Sequence, residues 1–343
     1  MDSITQAALG ASLAGAVAGK TLGRSSLLIG AVLGTLPDLD VVIDYGTAIA
    51  NFSQHRGFSH SLLVLFPLSV LLAWILQRWR PALGYQRWLL LTALILLTHP
   101  LLDAFTTYGT QIFWPLAGPV AINSIFIIDP LYTLPLLAGI MIFLVRGTAT
   151  RAINAGLAMS TLYLGWTLAA QQIISSRVDL ALADAGLQDA PRLVQPMPFN
   201  TLLWRVTVQN DDQRVEIITG FLDGGAPLLL QYFPRQPDLK AAAKSSAEGQ
   251  RLEWFTDGFV AYGLNDQTLT ATDIRLGLPG AHPFIFTLGH YENGILNPAP
   301  SGRLARPEIR GELFQALWQR MTGRATILCL ASLTIPEPQE TCA

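Results

Sequence analysis

The first glutamate in this 343-residue chain is Glu216, and the only cysteines are Cys329 and Cys342. Two cysteines near one end exclude a zinc-finger framework; they leave either one local bridge, in an oxidising compartment, or two spare thiols. Charge of both signs is scarce, at 13% of residues against 51% hydrophobic, and the net charge is -2. That balance lacks the strongly basic face of a nucleic-acid binder, so no nucleic-acid partner is expected. The opening MDSITQAALGASLAGAVAGK has neither the basic start nor the leucine-rich core of a cleaved signal, and is expected to be retained. A Gly-x-Ser-x-Gly elbow, a Walker loop and a dinucleotide fingerprint are all missing from contexts that would support them.

What the chain does have is apolar length. Mean hydropathy is +0.39, and apolar runs occupy residues 7–18, 26–36, 61–77, 88–102, 131–145 and 152–175. The last four are the best candidates for membrane spans, which need roughly 20 apolar residues. The first two are short and rich in Gly and Ala, which suits either half-buried helices packed through small residues or a buried helical core. The expected architecture is an α-helical membrane domain over residues 1–177, with about four to six membrane-embedded helices, followed by a soluble, mostly β, α+β domain over 178–343.

Beyond residue 177 a Pro-rich connector, APRLVQPMPFN, leads into LLWRVTV, RVEIITG, PLLLQYF, RLEWF, FVAYG, TLTATDIR and PFIFTL. Their alternation and the intervening turn signals NDDQ and DGG predict that most are strands. PEIRGELFQALWQRMTG spaces Leu313, Leu317 and Met321 as a closing helix. ATILCLASLTI is too short for a membrane anchor and reads as a core strand.

Ionisable groups inside the apolar region are costly and so point to function. Three motifs carry them: PDLD with Asp38 and Asp40, HRGFSH with His55 and His60, and HPLLD with His99 and Asp103. In HPLLD the imidazole and carboxylate are four residues apart and share one helix face, where they can share an ion. Each motif also has a plainer reading: PDLD as a turn, HRGFSH as an interfacial loop, HPLLD as a Pro-kinked helix end. Their joint arrival on one face favours ligation. His282 and His290 have no partner pattern and read as surface or structural residues. Asp2, Ser3, Thr5 and Gln6 suit helix capping, with reach toward a metal as the alternative.

Nitrogen and carboxylate donors together suit Zn²⁺, and also Mn²⁺ or Fe²⁺, whereas an all-oxygen set would suit Mg²⁺ or Ca²⁺. Six ligands exceed one four-coordinate zinc, so two ions fit the count, as in two-metal phosphoester hydrolysis. Arg56 has the planar fork that grips phosphate or meets a lipid headgroup. Asp40 is the candidate general base if it is not a ligand.

MDSITQAALGA, GTLPDLD, HRGFSHSL, HPLLDAFTTYGTQIFWP and IIDPLY, with PFNTLLWRV and TDIRLG further on, resemble the family of LexA-regulated, inner-membrane, metal-dependent hydrolases. The resemblance runs over most of the chain. It implies a bacterial inner-membrane protein of the SOS response with a metal-dependent hydrolase centre at Asp38, Asp40, His55, His60, His99 and Asp103, and more weakly Asp129. Many relatives have histidine where this chain has Gln6. A fainter similarity, in H-x3-D with upstream Asp and His, is to zinc-dependent phospholipase C and P1-type nucleases, and implies phosphate esters. The expectation is therefore a membrane-bound hydrolase of a phosphoester or lipid-like substrate, in contact with membrane lipids. The alternative is a non-catalytic scaffold with a structural metal and a partner-binding β domain.

Charge sets the orientation. Threading the six runs alternately gathers Asp2, Asp38, Asp40, Asp44, Asp103 and Asp129 on one side. The opposite turns hold Lys20 and Arg24, then Arg78, Arg80 and Arg87, then Arg146 and Arg151, without an acid among them. The positive-inside rule makes those turns cytoplasmic and puts the motifs and the C-terminal domain on the periplasmic side. Reporter fusions or cysteine labelling should find residues 78–87 and 146–151 in the cytoplasm and residue 250 outside; residue 250 in the cytoplasm would overturn the orientation.

Overall fold

The structure, a computed structural model, describes residues 1–147, 149–306, 311–324 and 328–330. In chain order its longer helices are α1 (Ser3–Leu22), α2 (Ser25–Thr35), α3 (Ala48–Gln54), α4 (Leu62–Trp79), α5 (Tyr85–Ala104), α6 (Pro130–Arg146), α7 (Thr150–Asp184), α8 (Pro237–Lys244), α9 (Ala247–Thr256) and α10 (Gly311–Met321). The strands are β1 (Arg192–Pro196), β2 (Leu203–Gln209), β3 (Gln213–Gly220), β4 (Gln231–Pro234), β5 (Val260–Asn265), β6 (Thr268–Asp273), β7 (Ile285–Glu292) and β8 (Ile295–Pro298). Two units share the chain. The first comprises Met1–Ile43, Gln54–Ala169 and Pro198–Asn200; the second comprises Asp44–Ser53, Ala170–Met197 and the chain from Thr201 onward.

Each of the six apolar runs becomes a helix, the first five in the first unit and the sixth in α7. Asp2 caps α1 by accepting from the Ile4 and Thr5 amides, each at 3.1 Å. Asp129 does the same for α6, with Pro130 at its first position. Helices α1 and α2 touch backbone to backbone: a Cβ added to Gly10 would lie 2.2 Å from the Gly30 carbonyl oxygen, and one on Gly30 would lie 2.2 Å from that of Gly10. Small residues at both positions are what permits this approach.

Two helices, α4 and α5, are long and apolar enough to cross a membrane. Of the four to six membrane helices expected, length and composition support these two, while α6 is shorter. The pair differ in what they bury. Helix α4 presents Leu63, Phe66, Leu71 and Trp74 outward, whereas α5 buries Trp88, Leu91, Ile95 and Leu96. An exposed apolar face of this kind suits lipid contact, because water would leave its area unburied.

The second unit contains two antiparallel four-stranded meanders, β1-β2-β3-β4 and β5-β6-β7-β8. Trp204, Val206 and Val208 of β2 and Val215 and Ile217 of β3 pack on Ala170, Ile174, Val178 and Leu182 of α7. These α7 residues recur every four positions and so lie along one helix face. Helix α7 runs unbroken through residue 177. Residues 44–53 join this unit too. The Ala48 amide donates to the Ser301 carbonyl at 3.0 Å, the Ile49 amide to Ser301 Oγ at 2.9 Å, and Thr47 Oγ1 to Glu248 at 2.9 Å. The Phe52 ring lies 4.7–5.2 Å from those of Phe255, Phe284 and Phe286.

RLEWF, expected as a strand, is helical within α9. Ser246 caps that helix by accepting from the Gly249 amide at 3.0 Å. Leu252 and Phe255, three apart, are buried while Trp254 is exposed, so the apolar face follows the helical period rather than strand alternation. PLLLQYF contributes a strand only from Gln231. The closing helix is present as α10, where Leu313, Leu317 and Met321 pack with Met197 and Leu278. Most of ATILCLASLTI lies outside the described residues. Cys329 is disulfide-bonded, and Cys342 lies outside the described residues.

One ion pair ties the two sheets together. Arg205 of β2 donates to both Glu216 oxygens at 2.8 and 2.6 Å and reaches across to the Ile274 and Gly277 carbonyls at 3.0 and 2.7 Å. Thr207 adds a third bond to Glu216 at 2.8 Å. Both charged side chains are buried, so removing one leaves the other without compensation. Glu216→Ala is expected to destabilise the second unit by about 3–5 kcal/mol, read as a lower denaturant midpoint. A loss below about 1 kcal/mol would show that the pair behaves as a surface contact.

Candidate metal centre

Three local structures deliver the donors. PDLD forms a 3-10 turn, Pro37–Val42, directly after α2. HRGFSH turns through Arg56, whose φ of 62° is left-handed, into a second 3-10 turn, Phe58–His60. HPLLD lies in the last turns of α5, so His99 and Asp103 project from the same face.

Together they assemble Asp38, His60, His99 and Asp103, with one donor atom of each within 4.8 Å of the others. His60 Nε2 and His99 Nε2 are 3.1 Å apart. Asp38 Oδ1 lies 3.4 Å from both, and Asp103 Oδ2 lies 3.2 and 3.5 Å from them. Four donors about 2.0–2.2 Å from one ion at tetrahedral corners lie about 3.3–3.6 Å apart. The five observed separations, 3.1–3.5 Å, are close to that range, so the group could hold one metal ion.

The second polar atom of His60, His99 and Asp103 is engaged elsewhere. His99 Nδ1 lies 2.7 Å from the Gly34 carbonyl, to which only a protonated Nδ1 can donate, so Nε2 carries the lone pair. Ser59 Oγ donates to Asp40 Oδ2 at 2.6 Å and accepts from His60 Nδ1 at 2.9 Å, with the same effect on His60. Asp103 Oδ1 accepts from Gln6 Nε2 at 2.9 Å and from the Met1 amine. Asp103 Oδ2 is buried without a hydrogen bond. It is charge-paired with Arg56 Nε at 3.4 Å, and a carboxylate oxygen free of hydrogen bonds can also take a metal ion.

Of the six expected ligands, Asp40 and His55 stand outside this group. His55 Nδ1 donates to Asp40 Oδ1 at 2.8 Å, and Asp40 Oδ2 accepts from the Arg56 amide at 2.9 Å as well as from Ser59. Asp40 therefore holds the HRGFSH turn in shape. Arg56 is buried, with its guanidinium 5.0 Å from the Tyr108 ring centroid and Nε 3.4 Å from Asp103 Oδ2. This sets it beside the donors. Asp129 caps α6 and accepts from the Tyr163 hydroxyl at 2.8 Å. His282 is buried against the Leu276 carbonyl, and His290 is exposed beside Glu292.

The charges are strongly coupled. Burial raises the Asp38 carboxyl pKa, but bonds with His60 and His99 outweigh it and hold the group well below the usual carboxylate range. Burial likewise opposes ionisation of Asp40, and His55 and Ser59 reverse the effect and lower its pKa. Burial disfavours charge on His60, yet the carboxylates of Asp103 and Asp38 push its pKa up. Two carboxylates drawing positive charge onto an imidazole would draw a divalent cation by the same field.

Sequence reasoning passed over Gly34 and Ser59 as orienting groups. Gly34 acts through its carbonyl, which any residue has; its tight fit explains the residue type, since a Cβ there would lie 2.6 Å from the Gln6 carbonyl oxygen. Gln6, expected to cap, instead reaches the site through Asp103.

Residues 1–174 match the family model described as YdjM inner membrane protein. The inner membrane protein YbcI of Escherichia coli (strain K12) is 38% identical over 112 residues, 32% of this chain and 64% of YbcI. The uncharacterized protein YfhP of Bacillus subtilis (strain 168) is 30% identical over 314 residues, 84% of this chain and 92% of YfhP. No solved structure matches the chain.

Elemental analysis of protein purified without chelator should find one transition-metal ion per chain. His60→Ala, His99→Ala and Asp103→Ala should each abolish it, and Asp40→Asn should weaken binding by about 10–100-fold through Ser59 and His60. Retention of metal in all three alanine variants would refute the assignment.

Proposed function

The chain belongs to the YdjM inner membrane protein family, and on that premise we propose that it is a membrane-bound, metal-dependent hydrolase acting on a phosphoester or lipid-like substrate at the outer face of the inner membrane. The observation that carries this reading is the four-donor group, Asp38, His60, His99 and Asp103, with both imidazole Nδ1 atoms engaged away from it. The donor set favours Zn²⁺, with Mn²⁺ or Fe²⁺ as alternatives. A bound divalent ion would polarise a substrate oxygen and lower the pKa of water.

The surrounding residues divide the remaining work. Asp38, at 16% side-chain exposure the one solvent-reached member of the set, lies on the side from which a substrate enters. Arg56 is the fixed cation beside the donors, paired through Nε with Asp103 at 3.4 Å; from there its charge would favour an anionic substrate group. His55, held through Nδ1 by Asp40, keeps Nε2 as the atom that takes or gives a proton. In this arrangement Asp40 orients the base and is not itself the base. Periplasmic orientation, LexA control and a role in the SOS response belong to the same proposal, and the acid-free basic turns support the first of them.

A second reading is favoured by the donor count. Four protein ligands close a tetrahedron, which is the habit of structural zinc, whereas catalytic zinc keeps a position open. Under that reading the ion staples the PDLD turn, the HRGFSH turn and α5.

Hydrolysis of phosphomonoester, phosphodiester and phospholipid probes by the metal-loaded protein separates the two. The hydrolase reading expects turnover of at least one probe, and His55→Ala should keep its metal while losing about 10²–10⁴-fold in rate. Full metal occupancy without turnover of any probe would leave the staple as the better account.

A further inference from the structure

The second unit holds a cavity of about 250 Å³ lined by Gln209, Arg214, Phe233, Arg235 and Lys240, with Asp211 at its exposed edge. Arg214 is 8% exposed. Its natural counter-ion is already committed: Glu216 takes two bonds from Arg205 and one from Thr207. Glu216 stands 3.3 Å from Arg214 Nε, and that nitrogen is buried without a hydrogen bond. The Arg214 guanidinium instead lies over the Phe233 ring at 4.7 Å.

Arg235 repeats the pattern. One of its terminal nitrogens donates to the Asn210 carbonyl, while Nη2 is buried without an acceptor. Lys240, half-buried on α8, lines the same space. Three cations thus meet one carboxylate, Asp211, leaving two positive charges over. His282, close to Arg205 and Arg214, adds none, because burial and then those two arginines hold its pKa well below the ordinary value. Burial, followed by the fields of Arg205 and Arg235, also lowers the Arg214 pKa against the pull of Glu216.

The remaining lining is complementary to an organic body. Phe233, Val260 and Ile274 supply apolar wall. Gln209 donates to the Gly258 carbonyl at 3.0 Å, and its Oε1 is buried without a donor, which suits a ligand hydroxyl or N–H. Buried donors without acceptors, a surplus of two charges and an apolar wall are together the features of a ligand pocket, since each is costly when nothing fills it.

We propose that this cavity binds a small organic phosphate monoester, its dianionic phosphate held by Arg214, Arg235 and Lys240 and its organic part against Phe233, Val260 and Ile274. The double charge selects phosphate over a carboxylate. The site stands independently of the metal centre and of the hydrolase reading.

Titration calorimetry of the full chain in detergent tests it. The probe is phenylphosphonate, a non-hydrolysable dianion at mildly alkaline pH, with benzoate as the singly charged control. Saturable phenylphosphonate binding is expected, with benzoate at least about tenfold weaker. Arg214→Met and Arg235→Met should each weaken binding about tenfold or more, as loss of a charge-assisted bond does, and His99→Ala should leave it unchanged. If Arg214→Met fails to fold, Arg235→Met and Lys240→Met, at half-exposed positions, decide the matter. Absence of saturable binding, equal affinity for benzoate, or binding that survives Arg235→Met and Lys240→Met would overturn the proposal. So would binding lost in His99→Ala but kept in Arg235→Met, which would assign the phosphonate to the metal centre.

Discussion

The close approach of α1 and α2 is the constraint on which the candidate centre depends. With Gly10 against Gly30, and Gly34 against the Gln6 backbone, the two helices meet without intervening side chains. That contact brings Gln6 of α1 to Asp103 and the Gly34 carbonyl at the end of α2 to His99. Larger residues at the glycines would separate the helices and draw both orienting groups away from α5. The packing of small residues and the tautomer of a histidine are therefore one problem. Close packing tolerates little adjustment, so the positions of the donors are fixed by backbone contact more than by their own bonds.

Most of the helical unit was legible because apolar length is a direct signal, and all six runs became helices. The i, i+4 pair His99 and Asp103 was legible for the same geometric reason. The division of roles in PDLD was not. A 3-10 turn advances about 120° per residue, so Asp38 and Asp40 point in different directions: one joins the donors and the other holds His55. No spacing rule covers HRGFSH, where Arg56 takes a left-handed conformation that breaks any regular period between His55 and His60. RLEWF misled because alternation over five residues is also compatible with a helix face, and its capping serine lies outside the run. The four to six membrane helices expected exceed the two that length and composition support: α2 and α6 are short, and α1 and α7 are long without being apolar enough.

Buried charge is held in two ways. In the second unit, Arg205 and Glu216 neutralise one another, while Arg214 Nε and Arg235 Nη2 stay buried without a hydrogen bond. In the candidate centre two carboxylates, two imidazoles and a guanidinium crowd together, and Asp103 Oδ2 and Arg56 Nε face each other at 3.4 Å without a hydrogen bond. A pair that satisfies itself serves the fold. A group left with unsatisfied atoms is arranged for something the chain alone does not provide.

The assignment of residues 44–53 to the second unit has a consequence for biosynthesis. This segment lies between PDLD and HRGFSH, yet its partners Glu248, Phe255 and Ser301 come some two hundred residues later. At translation rates of about 5–20 residues per second, on the order of 10–50 s separates the synthesis of α3 from that of its partners. The donor motifs on either side are thus made early and joined by a loop that stays undocked until the end of the chain arrives. Helix insertion and sheet formation cannot be finished one after the other, because each owns part of the same stretch of sequence. The two units are interleaved in the gene as well as in the fold, and recombination at a single crossover cannot exchange one without cutting into the other.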